Sequence, residues 1–224
     1  MKKYTIIFNI LLLCIIGCKT IPLEISCSFH NEFVSENGFE HSRWQWNSSL
    51  EKVVENIGFD SKYYYTSETK ENASVLHYYA NPQIESVKSV KIQMEDLEWS
   101  VDQLGFSFQD NQLKGIMLMK SYESWEIMEE AIEKFLASFY EIILSDNIKE
   151  IRALDSKDVS IDEVDVKALY YGLNPEFVFE GSDGTYMVIR IWYDGEGIYD
   201  QRFISVSIIS DKTELQKRFL LKKI

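Results

Sequence analysis

The chain has 224 residues, 46% hydrophobic and 14% aromatic, enough for one large domain or two small ones with a real core. Lys and Arg number 23 against 36 for Asp and Glu, a net charge of -13, so the chain lacks the basic footprint of a nucleic-acid binder. With 26% charged residues it is neither a low-complexity polymer nor a disordered acidic tail.

Met1-Lys2-Lys3 precedes an apolar run from Tyr4 to Ile16, interrupted by Thr5 and Asn9. That run is too short to span a bilayer as a helix, which takes about 20 residues, and it suits the apolar region of a signal peptide. It ends in Ile15-Ile16-Gly17-Cys18, which resembles the bacterial lipobox: an aliphatic residue, a tolerant position, a small residue, then Cys. The resemblance implies lipidation of the Cys18 thiol, cleavage between Gly17 and Cys18, and acylation of the new amino terminus. Residues 1–17 are then a lipoprotein signal peptide, and residues 18–22 are the lipidated Cys and a short tether. Losing Lys2 and Lys3 takes the net charge to -15. Several acyl chains anchor firmly where one binds marginally. Lys19 follows Cys18 where an Asp would signal inner-membrane retention. By resemblance to the common lipoprotein sorting rule, this implies the outer membrane, facing the periplasm. Cys14 leaves with the signal and Cys18 carries lipid, so Cys27 remains as the thiol and the mature chain must stand on its core without an internal disulfide.

Leu23 to Phe29 reads as a strand. From Ser42 to Ile57, Trp46, Leu50, Val53, Val54 and Ile57 recur at helical spacing, with Gly58 as the stop. Asp60 to Ser74 is polar and reads as a loop that carries Tyr63-Tyr64-Tyr65 towards a strand at Val75 to Tyr79. Ser86 to Met94 alternates, with Val90, Ile92 and Met94 as the inner face. Trp99 to Phe108 and Leu113 to Lys120 flank Asp110-Asn111 as a hairpin. A long helix is expected from Ser121 or Tyr122 to Leu144, since Trp125, Met128, Ile132, Phe135, Leu136, Phe139 and Ile143 form one apolar stripe. Ser121 and Ser124 offer its cap, and a second short helix or its continuation is expected to run to Leu154. Residues 155–165 are charged and read as a linker. Beyond it, Phe177-Val178-Phe179, a turn at Gly181-Ser182-Asp183-Gly184, Tyr186 to Tyr193 and Phe203 to Ile209 read as strands. Asp211 caps a helix from Lys212 to Leu221.

Both halves, 23–154 and 166–224, read strand, strand, strand, helix. The expected fold class is α+β, an antiparallel sheet packed against a long helix, with two similar βββα halves as one reading and convergence on a common layout, within one domain, as the other.

The motifs that carry chemistry are weighed against plain structure. Ser67-Glu68-Thr69-Lys70, Ser145-Asp146-Asn147 and Lys212-Thr213-Glu214 resemble, in order, the motif set of penicillin-binding proteins and serine β-lactamases. The context fails: Ser67 lies in a polar run where a buried helix should begin, Glu214 replaces the required Gly, and Lys212 opens a helix where a strand is needed. His30, His41 and His77 fit no zinc pattern. Asp194, Glu196 and Asp200 alternate in a Gly-rich turn and are the candidate calcium ligands. The EF-hand spacing is absent, however, and a hairpin loop explains the turn more simply. Phosphate-cradling and hydrolase-elbow motifs are absent, so no cofactor is expected beyond the covalent lipid, and the chain is read as not an enzyme.

Two surface features remain. Glu126, Glu129, Glu130 and Glu133 share one face of the long helix, either as a solvated face or as a docking surface for a cationic partner. Aromatic doublets recur at Trp44 and Trp46, Tyr63 to Tyr65, Tyr78-Tyr79, Tyr170-Tyr171 and Trp192-Tyr193, and each is expected to expose one ring. Compartment, acidity, the expected exposed aromatics and missing catalytic motifs together point to a membrane-anchored binding lipoprotein. The concrete expectation is an immunity protein that occludes one cationic, periplasm-acting toxin. A housekeeping envelope-assembly or tethering lipoprotein is the alternative, and a calcium-dependent envelope enzyme is a third class.

Overall fold

The computed structural model describes residues 26–41, 43–57, 64–68, 72–79, 90–94, 97–143, 147–152, 176–194 and 201–219. The expected signal peptide, Cys18, the expected tether, Tyr63, Ser145, Asp146, the expected linker at 155–165, Tyr170-Tyr171, Glu196 and Asp200 lie outside them. Strands β1 (Ser26–Ser28), β4 (Val90–Met94) and β5 (Leu97–Val101) form a small sheet in the order β1-β4-β5, with β1 parallel to β4. The large sheet is antiparallel throughout. It takes β2 (Tyr64–Glu68), β3 (Ala73–Tyr79), β6 (Gln103–Gln109), β7 (Gln112–Tyr122), β8 (Ile148–Arg152), β9 (Glu176–Gly181), β10 (Tyr186–Asp194) and β11 (Gln201–Ile209) in the order β2-β3-β6-β7-β11-β10-β9-β8. The helices are α1 (Phe29–Phe33), α2 (Leu50–Ile57), α3 (Trp125–Ile143) and α4 (Lys212–Phe219). The expected α+β class with an antiparallel sheet is therefore what the chain adopts.

The order of the large sheet places two four-stranded meanders side by side. Their last strands, β7 and β11, pair antiparallel from Arg202↔Tyr122 to Ile209↔Gly115, and each leads into a helix. The β6–β7 hairpin turns on Asp110 and Asn111, at φ 52° and 57°, the left-handed pair that a two-residue hairpin loop requires.

Alternation along the strands sorts the large sheet into two faces. On one, Leu76, Tyr78, Leu104, Phe106, Ile116, Leu118, Phe177, Phe179, Met187, Ile189, Ile204, Val206 and Ile208 are buried in a single cluster with Phe29, Phe33, Phe39, Trp44 and Val53. Helix α3 enters this cluster through Met128, Ile132 and Phe135, at 0%, 2% and 0% exposure, and touches β4, β5, β7 and β11. Phe135 meets Trp99 of β5 at 4.9 Å, so α3 joins the small sheet to the large one. On the other face, Leu215 of α4 covers Val178, Tyr186, Val188 and Ile209.

The amino-terminal segment is stitched to the second meander. Phe39 N donates to Thr185 Oγ1 at 2.7 Å, Asp183 N and Ser182 Oγ donate to Asn37 O at 3.0 and 3.1 Å, and Asn147 Nδ2 donates to Glu36 O at 3.1 Å. Asp183 Oδ1 accepts from Thr185 N and from Thr185 Oγ1, which sets the β9–β10 turn for this contact.

Several expected boundaries move. The segment 43–49 is not helical: Asn47 sits at φ 64°, its N–H donates to Leu113 O, and α2 starts only after Ser49, whose Oγ accepts from Lys52 N at 3.4 Å. The expected loop around Tyr64 contains β2, and the expected strand at 23–29 gives way at Phe29 to the short helix α1. The expected strand Trp99–Phe108 breaks at Asp102, whose carboxylate accepts from Ser121 N and Ser121 Oγ at 2.8 and 2.7 Å. Ser121 therefore belongs to β7, and the cap of α3 is Ser124, whose Oγ accepts from Ile127 N at 3.3 Å. The expected helix towards Leu154 is instead strand β8, paired with β9 from Ile148↔Gly181 to Arg152↔Phe177. The carboxy-terminal cap forms as expected, Glu214 N donating to Asp211 Oδ1 at 3.0 Å.

Candidate functional site

Helix α3 presents a buried stripe and an opposite exposed arc. Ser124 starts the helix, and its hydroxyl together with the free backbone N–H of the first turn holds the Glu126 carboxyl below the usual range, with the charge of Arg202 adding to this. Glu126, Glu129, Glu130 and Glu133 are all exposed and lie within about 100° of one another at helical spacing. Lys134 binds Glu130 at 2.6 Å and holds its carboxyl low, so one of the four charges is locally paired. Beside this arc stands Ile127, 54% exposed and the large apolar side chain that the described surface leaves open.

The sheet face opposite the main cluster holds a second constellation, formed by diagonal neighbours on β2, β3 and β6. His77 Nε2 lies 3.2 Å from Ser67 Oγ, and Gln103 Nε2 lies 3.2 Å from His77 Nδ1. Burial lowers the His77 pKa, which keeps the ring neutral. Ser67 Oγ also donates to Val75 O at 3.5 Å. The β-lactamase-like Ser67 stands on a strand and Lys212 opens α4, where that chemistry needs a helix start and a strand.

His41 is buried at 3% exposure between Phe33, at 4.7 Å, and Trp44, stacked at 3.9 Å. Its Nδ1 accepts from Arg43 N at 3.0 Å. Burial, with the charge of Arg43 adding to it, pushes its pKa down to about 3. No group of three His, Cys, Asp or Glu among the described residues converges as a metal site. Asp194 ends β10 opposite Gln201, the first residue of β11; Glu196 and Asp200 lie outside the described residues.

The expectation of one exposed ring in each aromatic doublet fails at Trp44-Gln45-Trp46. Trp44 is 2% exposed, and Trp46 is partly buried with its Nε1 donating to Phe39 O at 3.2 Å. These residues lie on a loop folded over the core, so strand alternation does not apply to them. Trp192 is half-buried and stacked on Phe203 at 4.3 Å. Among the described residues no helix is long and apolar enough to cross a membrane. Two groupings escaped sequence reasoning: the Ser67–His77–Gln103 diagonal, and a cleft lined by Arg43, Gln45, Lys52 and Asn56, whose members meet only through tertiary contacts. Compared with known proteins, the chain matches no family model, no curated protein and no solved structure.

Proposed function

We propose that this chain is a lipoprotein anchored through Cys18 to the outer membrane of a bacterial envelope, facing the periplasm, and that it binds one protein partner through the exposed arc of α3. The concrete reading is an immunity protein that occludes a cationic, periplasm-acting toxin. The observation that carries it is the placing of Glu126, Glu129, Glu130 and Glu133 beside the exposed Ile127 on one rigid helix whose other side is locked into the core. Charge complementarity there would speed encounter and set specificity, while Ile127 supplies the desolvated contact. On the same reading the two meanders are similar halves, joined along β7 and β11.

The test is capture of envelope and secreted proteins by the full-length protein, followed by affinity measurement with the captured partner. Glu126→Lys with Glu130→Lys and Glu133→Lys is expected to weaken binding tenfold or more, about 1.4 kcal/mol. Ile127→Asp is expected to act in the same direction. These side chains are exposed, so the stability cost of losing the first-turn contacts of Glu126 and the Glu130–Lys134 pair should be small beside the loss of binding. Unchanged affinity in both variants would remove α3 as the contact face. A resident envelope complex in place of a basic toxin would favour the assembly role.

A further inference from the structure

Between the loop that follows His41 and helix α2 lies a cleft of about 350 Å³, lined by Arg43, Gln45, Lys52 and Asn56. Among the described residues its lining is two cations and two amides, in a chain whose net charge is -13. Among the described residues neither Arg43 nor Lys52 has an acidic partner. The walls are held in place from behind. Arg43 N donates to His41 Nδ1 at 3.0 Å, and Arg43 O accepts from Asn56 Nδ2 at 3.1 Å, tying the loop to the far end of α2. Asn47 N donates to Leu113 O, and Leu113 N donates to Ser48 O, pinning the same loop to β7. Two cations with no acidic partner among the described residues, with amide donors beside them, form a receptor for a singly or doubly charged oxyanion.

We propose that this cleft takes the phosphodiester of an anionic phospholipid headgroup in the bilayer that holds Cys18, and so fixes the orientation of the domain on the membrane. The inference rests on the lipid-anchor reading. From Cys18 to Ser26 the chain can reach at most roughly 30 Å. Helix α1 follows β1 directly, and Phe33 of α1 packs on His41, two residues before Arg43. The cleft is thus joined, through His41 and Phe33, to α1, the first helix after the proposed anchor. An acidic domain tethered to a negatively charged surface has its lowest energy with its cationic cleft, and not the α3 glutamates, at the lipid.

The test uses the full-length protein in nanodiscs of phosphatidylcholine, with and without phosphatidylglycerol, read by hydrogen exchange over residues 43–57. Phosphatidylglycerol is expected to slow exchange there at least fivefold, and Arg43→Gln with Lys52→Gln to abolish the slowing. Both side chains are exposed, so the melting temperature of the variant should match the parent; Arg43→Lys, which keeps the charge, should retain most of the effect. Equal exchange in the two lipids would overturn the proposal. Equal slowing by inorganic phosphate added to phosphatidylcholine discs would also overturn it, because the site would then be one for a free anion. The mass of the amino-terminal peptide reads the anchor separately: an unmodified Cys18 overturns the anchor and the orienting role together, while an acylated Cys18 without headgroup-dependent slowing overturns the cleft alone.

Discussion

Replacing Gly181 with alanine is expected to destabilise the fold by about 3 kcal/mol, at the upper end of the usual cost of overpacking. A Cβ at Gly181 would run into the backbone of the amino-terminal segment, meeting Gly38 Cα and, at 2.8 Å, Asn37 O. Neither atom can rotate away as a side chain would. The same junction holds the hydrogen bonds from Phe39 N to Thr185 Oγ1 and from Asp183 N to Asn37 O, so separating the backbones would weaken both. For a domain of this size the loss corresponds to a fall of about 10 °C in melting temperature. Gly184 is the internal control. It lies three residues away in the same turn, at φ 84°, with nothing within 4 Å of an added Cβ, so Gly184→Ala should cost only the left-handed backbone penalty of about 1 kcal/mol. Denaturant unfolding of the two variants checks the ordering; equal costs would show that the two backbones are not in contact.

The second large effect is a loss of stability in mild acid that originates at His41. Its folded pKa is about 3, against roughly 6.5 for an exposed histidine. Glu32 Oε2 stands 3.8 Å from Nε2, beyond hydrogen-bond reach, and does not rescue the protonated ring. The folded state therefore keeps His41 neutral while the unfolded chain takes up a proton below pH 6.5. The unfolded state binds more protons across the window from 6.5 to about 3, so stability is full above that window and falls as pH falls through it. Between pH 7.5 and 5, above most carboxylate titration, the site should contribute a loss of about 2 kcal/mol. His41→Asn offers an oxygen in place of Nδ1 for the Arg43 N–H. It forfeits the stack on Trp44, so it should be less stable at neutral pH yet show a flatter profile. His77 also has a lowered pKa but is only half-buried, so His77→Asn should change the slope less. A wild-type profile flat from pH 7.5 to 5 would contradict the burial of His41.

Elements whose signal is local were legible in the residues. The apolar spacing of Met128, Ile132 and Phe135 marked α3 and its buried side because one helix face meets the core at every turn. Asp110-Asn111 marked the β6–β7 hairpin because both residues tolerate the left-handed backbone the turn demands. The acidic arc of α3 was legible for the same reason as its stripe. Its use by a partner was not, because exposure alone does not distinguish a solvated face from an interface.

Features that need a distant partner were not legible. Ile148 to Arg152 has no periodicity that separates helix from strand, and it is extended because β9 offers it an edge. Trp46 and Leu50 fit one helical face by spacing, yet Leu113, some 65 residues on, captures the backbone at Asn47 and delays the helix to Leu50. The diagonal of Ser67, His77 and Gln103 exists only in the register of three paired strands, and the Arg43–Lys52 cleft exists only because a loop and a helix are pinned to the same floor. The chain's own residues thus determined its acidity, its lipobox-like amino terminus and the elements stabilised within a few residues of themselves. The tertiary structure decided the strand order, the contact of Gly38 with Gly181, the neutral His41 and the cationic cleft, because hydrogen bonds, burial and charge proximity between distant segments have no local counterpart in the sequence.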